Sequence, residues 1–209
     1  MTGLWIWLVA AFLYGAFSLW YNNWRGPLTA EEIEKFGKRW EQSKNAPPAD
    51  VIDAARGFME SDDGGEFFML NLIKLHPGEI PVPGSDEKEP APKLLRRYTG
   101  YFMPQVLRRA GHPAFVGPAA GRYMEHWGVE PDPGWTFSGI IRYRSRRDLM
   151  ELATDPRFDP AHVCKIAAIA NTLAFPVAPA TLVLGPRVWV ALLLALLAAL
   201  GHLAVVSAA

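Results

Sequence analysis

Apolar residues are spaced along this chain in three ways, and each spacing predicts a different element. At both ends they run unbroken. Residues 4–21, LWIWLVAAFLYGAFSLWY, and residues 188–206, VWVALLLALLAALGHLAVV, contain no Asp, Glu, Lys or Arg. A helix of about 20 residues covers the roughly 30 Å hydrocarbon core of a bilayer, so both runs are expected to span a membrane. Further in, the spacing becomes helical: Ile33, Phe36 and Trp40 within 30–44, then Val51, Ile52, Ala55, Phe58 and Met59 within 50–61. Next comes FFMLNLIKL, Phe67–Leu75, with the length of a strand. Phe67, Met69, Asn71 and Ile73 alternate there with Phe68, Leu70, Leu72 and Lys74, so both faces of the strand are apolar.

Punctuation residues divide the rest. Thr29 followed three positions later by Glu32 has the form of a capping box. Pro47 and Pro48 end that helix, and Asp62-Asp63-Gly64-Gly65 reads as a turn into the strand. Residues 76–93, HPGEIPVPGSDEKEPAPK, suit a surface excursion. Residues 94–110 read as a helix with Leu95, Tyr98, Phe102, Val106 and Ala110 on one face, bent or split at Pro104. PAFVGPAAGRYMEHW and GWTFSGIIRYR then have strand character and are joined by the turn-rich residues 128–134. A helix is expected near Ser145-Arg146-Arg147-Asp148, interrupted by DPRFDP and resuming over 161–171, with TLAFPVAP as the last strand, weakened by Pro176.

This order, strand-helix-strand-strand-helix-strand, predicts an α+β fold of the split β-α-β-β-α-β, ferredoxin-like kind, with both helices on one face of an antiparallel sheet. The expected organisation is a membrane helix over 1–24, an amphipathic helical linker over 25–65, the α+β domain over 66–180 and a second membrane helix over 181–209. Because the first strand is apolar on both sides, the helix-free face needs cover, and a second copy of the sheet is one such layer.

Composition and charge narrow the reading. Half the residues are apolar, and that excess is concentrated at the ends. Lys plus Arg and Asp plus Glu number 21 each, so no global field recruits nucleic acid. The third strand also lacks the basic, glycine and aromatic signature of RNA-reading sheets. No phosphate loop, dinucleotide glycine pattern or serine elbow occurs. One cysteine, Cys164, excludes an intrachain disulfide and a Cys-rich zinc site.

At the N-terminus, a cleaved signal peptide would need a basic leader and a small-residue cleavage site, where SLWYNNWRG offers bulky aromatics. Trp5, Trp7, Trp20, Tyr21 and Trp24 suit the two membrane interfaces. Arg25, Lys35, Lys38 and Arg39 follow the first run and Arg187 precedes the second, which places the middle domain in the cytoplasm, on an inner membrane crossed twice. His202 is either an interfacial histidine or a proton relay, and the Ala191, Ala195, Ala199 stripe permits close helix contact.

FFMLNLIKL, RYTGYFMPQV, GRYMEHWG and the run from Trp135 to Thr172 resemble, in order and spacing, the small proteins of the DUF1330 family in the dimeric α/β-barrel superfamily. The resemblance covers residues 66–178 and rests on Asn71, Tyr98, Tyr101, Val106, Trp135, Asp155, Pro156, Phe158 and His162. The long Pro-rich link and both membrane runs depart from the family pattern. What the resemblance implies is a homodimer whose sheets close a barrel, with a pocket on each inner face. It implies no reaction, because relatives in the wider superfamily include cofactor-free monooxygenases, haem-degrading enzymes, lactone isomerases and chlorite dismutases.

The expected ligand-binding set is Phe67, Met69, Asn71, Tyr98, Trp135 and Phe137, with Asn71, Tyr98 and His126 the catalytic candidates if a reaction occurs. Asn71 either donates to a ligand carbonyl or developing oxyanion, or pairs with neighbouring backbone or Tyr98. His126 is either a base or haem ligand at a strand end, or an exposed turn histidine. No metal site is expected, since His76, His112 and His162 adjoin no second ligand at a suitable spacing. Arg96, Arg97, Arg108, Arg109, Arg142, Arg144, Arg146 and Arg147 either meet lipid head groups or form a solvated face. The leading expectation is a membrane-tethered ligand-binding or assembly module for an apolar small molecule. A monooxygenase- or isomerase-type enzyme, with or without haem, and a purely structural subunit are the alternatives.

Overall fold

The computed structural model describes residues 3–44, 46–181 and 185–208. In chain order its elements are α1 (Leu4–Tyr21), α2 (Ala30–Glu41), α3 (Ala49–Glu60), β1 (Phe67–Leu75), β2 (Glu79–Pro81), β3 (Lys88–Pro90), α4 (Ala91–Arg108), β4 (His112–Pro118), β5 (Phe137–Tyr143), α5 (Arg146–Ala153), α6 (Asp159–Ala168), β6 (Ile169–Val177) and α7 (Pro186–Ser207). They form two compact units, Met1–Trp24 with Pro179–Ala209, and Arg25–Ala178. The expected start of the last segment at 181 adjoins residues 182–184, which lie outside the described residues.

The first unit is a pair of helices. α1 and α7 are long and apolar enough to cross a membrane, with mean hydropathy of 1.6 and 2.4 over their most apolar windows. At Gly201 the missing side chain lets Ile6 approach to 3.5 Å of where a Cβ would be, and a Cβ at Gly3 would collide with the His202 ring. Small residues thus set the close contact between the two helices. Arg187 closes the other end: its Nε donates to Asn22 Oδ1 at 2.7 Å and its guanidinium lies 5.0 Å from the Tyr21 ring.

The second unit is built on one four-stranded antiparallel sheet in the order β4-β5-β1-β6. β1, the most apolar strand, is paired on both sides, opposite β5 (Phe67 with Tyr143, Asn71 with Gly139) and β6 (Leu70 with Phe175). Phe67, Met69, Ile141 and Tyr143 turn one way and meet Phe102, Met103 and Val106 of α4, Leu149 and Leu152 of α5, and Phe158. Phe67 stacks on Tyr143 at 5.3 Å and takes Phe58 of α3 edge-on at 5.0 Å.

The capping box forms. Glu32 N donates to Thr29 Oγ1 at 3.2 Å and Thr29 N to the Glu32 carboxylate at 3.0 Å. The α2–α3 pair, expected as a linker, packs outside α5 through Leu28, Phe36, Met59 and Met150, in the same compact unit as the sheet.

Four arginines, two of them buried, lock this assembly. Arg147, 3% exposed, donates to the Gly26 and Pro27 carbonyls at 3.0 and 2.8 Å and to both Glu32 carboxylate oxygens at 2.8 and 2.9 Å. Arg142 is fully buried between Glu66 and the Ala110 carbonyl, Arg144 grips Asp148, and Arg146 reaches Asp62 and the Phe58 carbonyl. All four are paired within the domain, Arg142 and Arg147 buried and Arg144 and Arg146 partly exposed.

Several boundaries differ from expectation. α4 begins at Ala91 and runs unbroken through Pro104, where the missing donor falls opposite Gly100, a residue with no side chain to crowd the ring. β4 ends at Pro118, so residues 119–136 are irregular. The Asp132 carboxylate holds that loop by accepting from Tyr123 N at 3.0 Å and Gly134 N at 2.7 Å. β6 starts early, at Ile169, because Ile169 and Thr172 are β-branched and complete the pairing with β1. The Pro-rich excursion contains the β2–β3 ladder, with Val82 buried beside it.

The hydrogen bond from Arg147, first among the causes, holds the Glu32 carboxyl at about 2, well below its ordinary 4.5. A depressed carboxyl stabilises the fold fully above its ordinary value and loses that contribution as pH falls toward the folded value. Thermal melts of the detergent-solubilised chain are therefore expected to drop between about pH 4.5 and pH 2. Arg147→Met is expected to cost about 3 kcal/mol at neutral pH, by stranding two carbonyls and leaving Glu32 only Arg25 as an ion-pair partner, and to flatten that drop.

Candidate functional site

Four of the expected residues share one face of the sheet. Phe67, Met69, Asn71 and Phe137 all lie in the layer that pairs Phe67 with Tyr143, Met69 with Ile141, Asn71 with Gly139 and Ile73 with Phe137. This is the face that α4 and α5 cover. Phe67 and Met69 are core residues there.

Asn71 is held by its own strand and the next. Its Nδ2 donates to the Met69 carbonyl at 3.0 Å and to the Gly139 carbonyl at 3.2 Å. Both amide hydrogens are thus committed to backbone, which meets the demand that a half-buried amide makes in an apolar strand.

Tyr98 projects from the middle of α4 and stacks on Phe102 with ring centres 5.1 Å apart. Across from it, α6 presents two residues at helical spacing, His162, whose ring centre is 6.1 Å away, and Lys165, whose Nζ lies 5.4 Å from the Tyr98 ring centre. Burial pushes the Tyr98 phenol above its ordinary range. It does the same to Tyr143, with the Tyr98 hydroxyl adding to the effect. Burial also lowers the Lys165 amine and, together with Lys165, the His162 imidazole. Phenols, imidazole and amine are all biased toward their neutral forms, chiefly by removal from water. Such a group can exchange hydrogen bonds with a polar atom of an otherwise apolar ligand. Lys165 and Tyr143 escaped sequence reasoning. The only local signal was the His162, Lys165 spacing, and its meaning depends on α4 lying opposite.

The remaining candidates sit elsewhere. Trp135 precedes β5, and its Nε1 donates to Tyr123 Oη at 3.1 Å. His126 is exposed in the loop, with its ring 5.8 Å from Tyr123, and not at the end of a strand as expected. The strand ends before it because Pro118 and Gly121 break the extended run. Among the described residues no group of three or more His, Cys, Asp and Glu is placed to hold a metal.

The other face of the sheet is different. Leu70, Leu72 and Ile140 are only half-buried, while Phe115, Leu173, Phe175 and Val177 are 53, 53, 48 and 42% exposed. The register puts Leu72, Leu70 and Phe68 directly opposite Leu173, Phe175 and Val177, and Phe115 opposite Ile140, so these side chains form one surface. Gly117 serves it: a Cβ there would lie 2.8 Å from the Phe115 ring, which instead lies along the strand.

No family model matches the chain, and neither does any curated protein. Two solved structures are similar in fold. The RPA0582 protein of Rhodopseudomonas palustris, described as of unknown function, is 21% identical with a TM-score of 0.52, covering 68% of this chain and 100% of its own. A methylated RPA0582 protein is 22% identical with a TM-score of 0.53, covering 66% and 96%. At this identity the likeness establishes the fold alone: an α+β domain on a four-stranded antiparallel sheet.

Removing the Asn71 amide is expected to cost about 1 kcal/mol in Asn71→Ala. Asn71→Asp should cost at least about 2 kcal/mol more, because an isosteric carboxylate would face two carbonyl oxygens with no proton to share. Chemical denaturation of both variants checks the order.

Proposed function

We propose that this chain is a membrane-attached assembly module whose α+β domain self-associates through the helix-free face of its sheet. The observation that carries the reading is that face: a continuous apolar surface from Phe115 through Ile140, Leu70 and Phe175, left open while the opposite face is packed. Open apolar surface of this extent on a soluble domain marks an interaction site. Both edge strands carry proline, Pro113 and Pro118 in β4 and Pro176 in β6, which discourages edge-to-edge pairing and favours packing face to face.

The strand order β4-β5-β1-β6, with α4 and then α5 and α6 as crossovers, supports the ferredoxin-like topology, and the motifs around Asn71, Tyr98 and Trp135 support kinship with the DUF1330-like, dimeric α/β-barrel proteins. In this reading the partner is a second copy, giving a homodimer. In the same reading α1 and α7 attach it to the inner membrane, and the basic residues after α1 support a cytoplasmic side for the domain.

The group Tyr98, His162, Lys165 and Tyr143 favours a second function on the same scaffold. It suits an apolar small molecule bearing one polar atom, either simply bound or turned over by monooxygenase- or isomerase-type chemistry. The absorption spectrum of the purified protein separates a haem-using form from one without it.

Leu173→Asp combined with Phe175→Asp is expected to convert a dimer to a monomer, weakening association at least 100-fold, as read by native mass spectrometry of detergent-purified protein. A wild-type mass of one chain, or a dimer untouched by the double substitution, overturns the assignment.

A further inference from the structure

A groove of about 730 Å³ runs between α2 and the turn joining α5 to α6. Six basic and four acidic side chains line it, so it is charged on a chain whose totals balance. The pairing inside it is uneven. Glu151 is held by Arg25 at 3.5 Å and Arg109 at 3.3 Å, Glu32 by Arg25 and Arg147, and Asp155 by Arg157 at 2.6 Å. Lys35, Arg39 and Lys44 line the same groove, and among the described residues no ion pair reaches any of them.

The two sides of α2 make the contrast plain. Away from the groove, Lys38 pairs with Glu34 at 3.1 Å, and Arg56 of α3 bridges Glu34 at 3.5 Å and Glu41 at 3.6 Å. On the groove side Lys35 and Arg39 stand four residues apart, a like-charge spacing that destabilises a helix. Gln42 continues the row with an amide, and Lys44 follows just beyond the helix. A planar guanidinium, two ammonium groups and an amide lining one groove combine forked and point-charge recognition of phosphate oxygens.

We propose that this groove binds a phosphate-bearing polyanion, with Lys35, Arg39 and Lys44 as the recognising charges. Its volume admits more than one phosphate group. Arg25, one of the lining residues, follows the last residue of α1 by four positions in the chain. A phospholipid head group is therefore one source of the ligand and a free phosphate compound the other. The assignment does not depend on the association face or on the Tyr98 group.

The test uses the full chain in nanodiscs of phosphatidylcholine, titrated with inorganic pyrophosphate by calorimetry. Saturable binding is expected, weakened at least tenfold in Lys35→Gln/Arg39→Gln/Lys44→Gln and unchanged in Lys38→Gln. Thermal melting controls for folding, and since like charges are removed from an exposed helix face the triple variant should melt no lower than wild type. Absence of saturable binding, or equal binding by the triple variant, overturns the proposal. Repeating the titration in discs containing phosphatidylglycerol distinguishes the sources. At least a tenfold loss of apparent pyrophosphate affinity assigns the groove to head groups, and an unchanged affinity assigns it to a free phosphate compound.

Discussion

A strand that is apolar on both faces at the centre of a single sheet creates a demand that one layer of helices cannot meet. β1 is such a strand. Its Phe67 and Met69 go under α4 and α5, while Leu70 and Leu72 on the alternate face join Phe175 and Leu173 in a surface that stays open. At roughly 25 cal/mol per Å² of apolar area removed from water, covering such a surface is a substantial driving force, and the helices of this domain do not supply the cover. The proposed association follows from that imbalance. It also accounts for the place of Asn71, whose amide is directed at carbonyls of its own sheet on the packed side and so adds no polar group to the open one.

A second constraint fixes the frame around the sheet. The run Arg142 to Asp148 holds four arginines beside the Ser145 and Asp148 that cap α5, so that one short segment ties β5 to Glu66, α5 to its own cap, and the chain entering the domain to α5 through Arg147. Buried guanidinium groups suit this work because their planar forks satisfy several carbonyls and a carboxylate at once. α2 is thereby held against α5, with Lys35 and Arg39 lining the groove.

What could be read from the sequence was what short range determines. The Thr29 and Glu32 cap, the 67–75 strand and the Ser145 helix start depend on residues within a few positions of each other, and the structure has all three. The elements that shifted depend on longer reach. The strand expected to carry His126 stops at Pro118, the Asp132 carboxylate gathers residues on both sides of itself into a loop, and β6 extends back to Ile169 because β1 offers it a partner. The candidate site was legible as single residues and not as a group. Asn71 stood out, but its partners are carbonyls, one of them a strand away. Tyr98 stood out, but Lys165 acquires meaning only once α6 lies across from α4.

The central claim is that the open face is covered by a second copy when the protein is in its membrane. Hydroxyl-radical footprinting of the membrane-embedded full chain tests it against references inside the same molecule, the core residue Phe67 and the loop residue Trp127, 3 and 76% exposed. Coverage predicts that Phe115 and Phe175 are modified nearly as slowly as Phe67. Modification of both at a rate approaching that of Trp127 would contradict it.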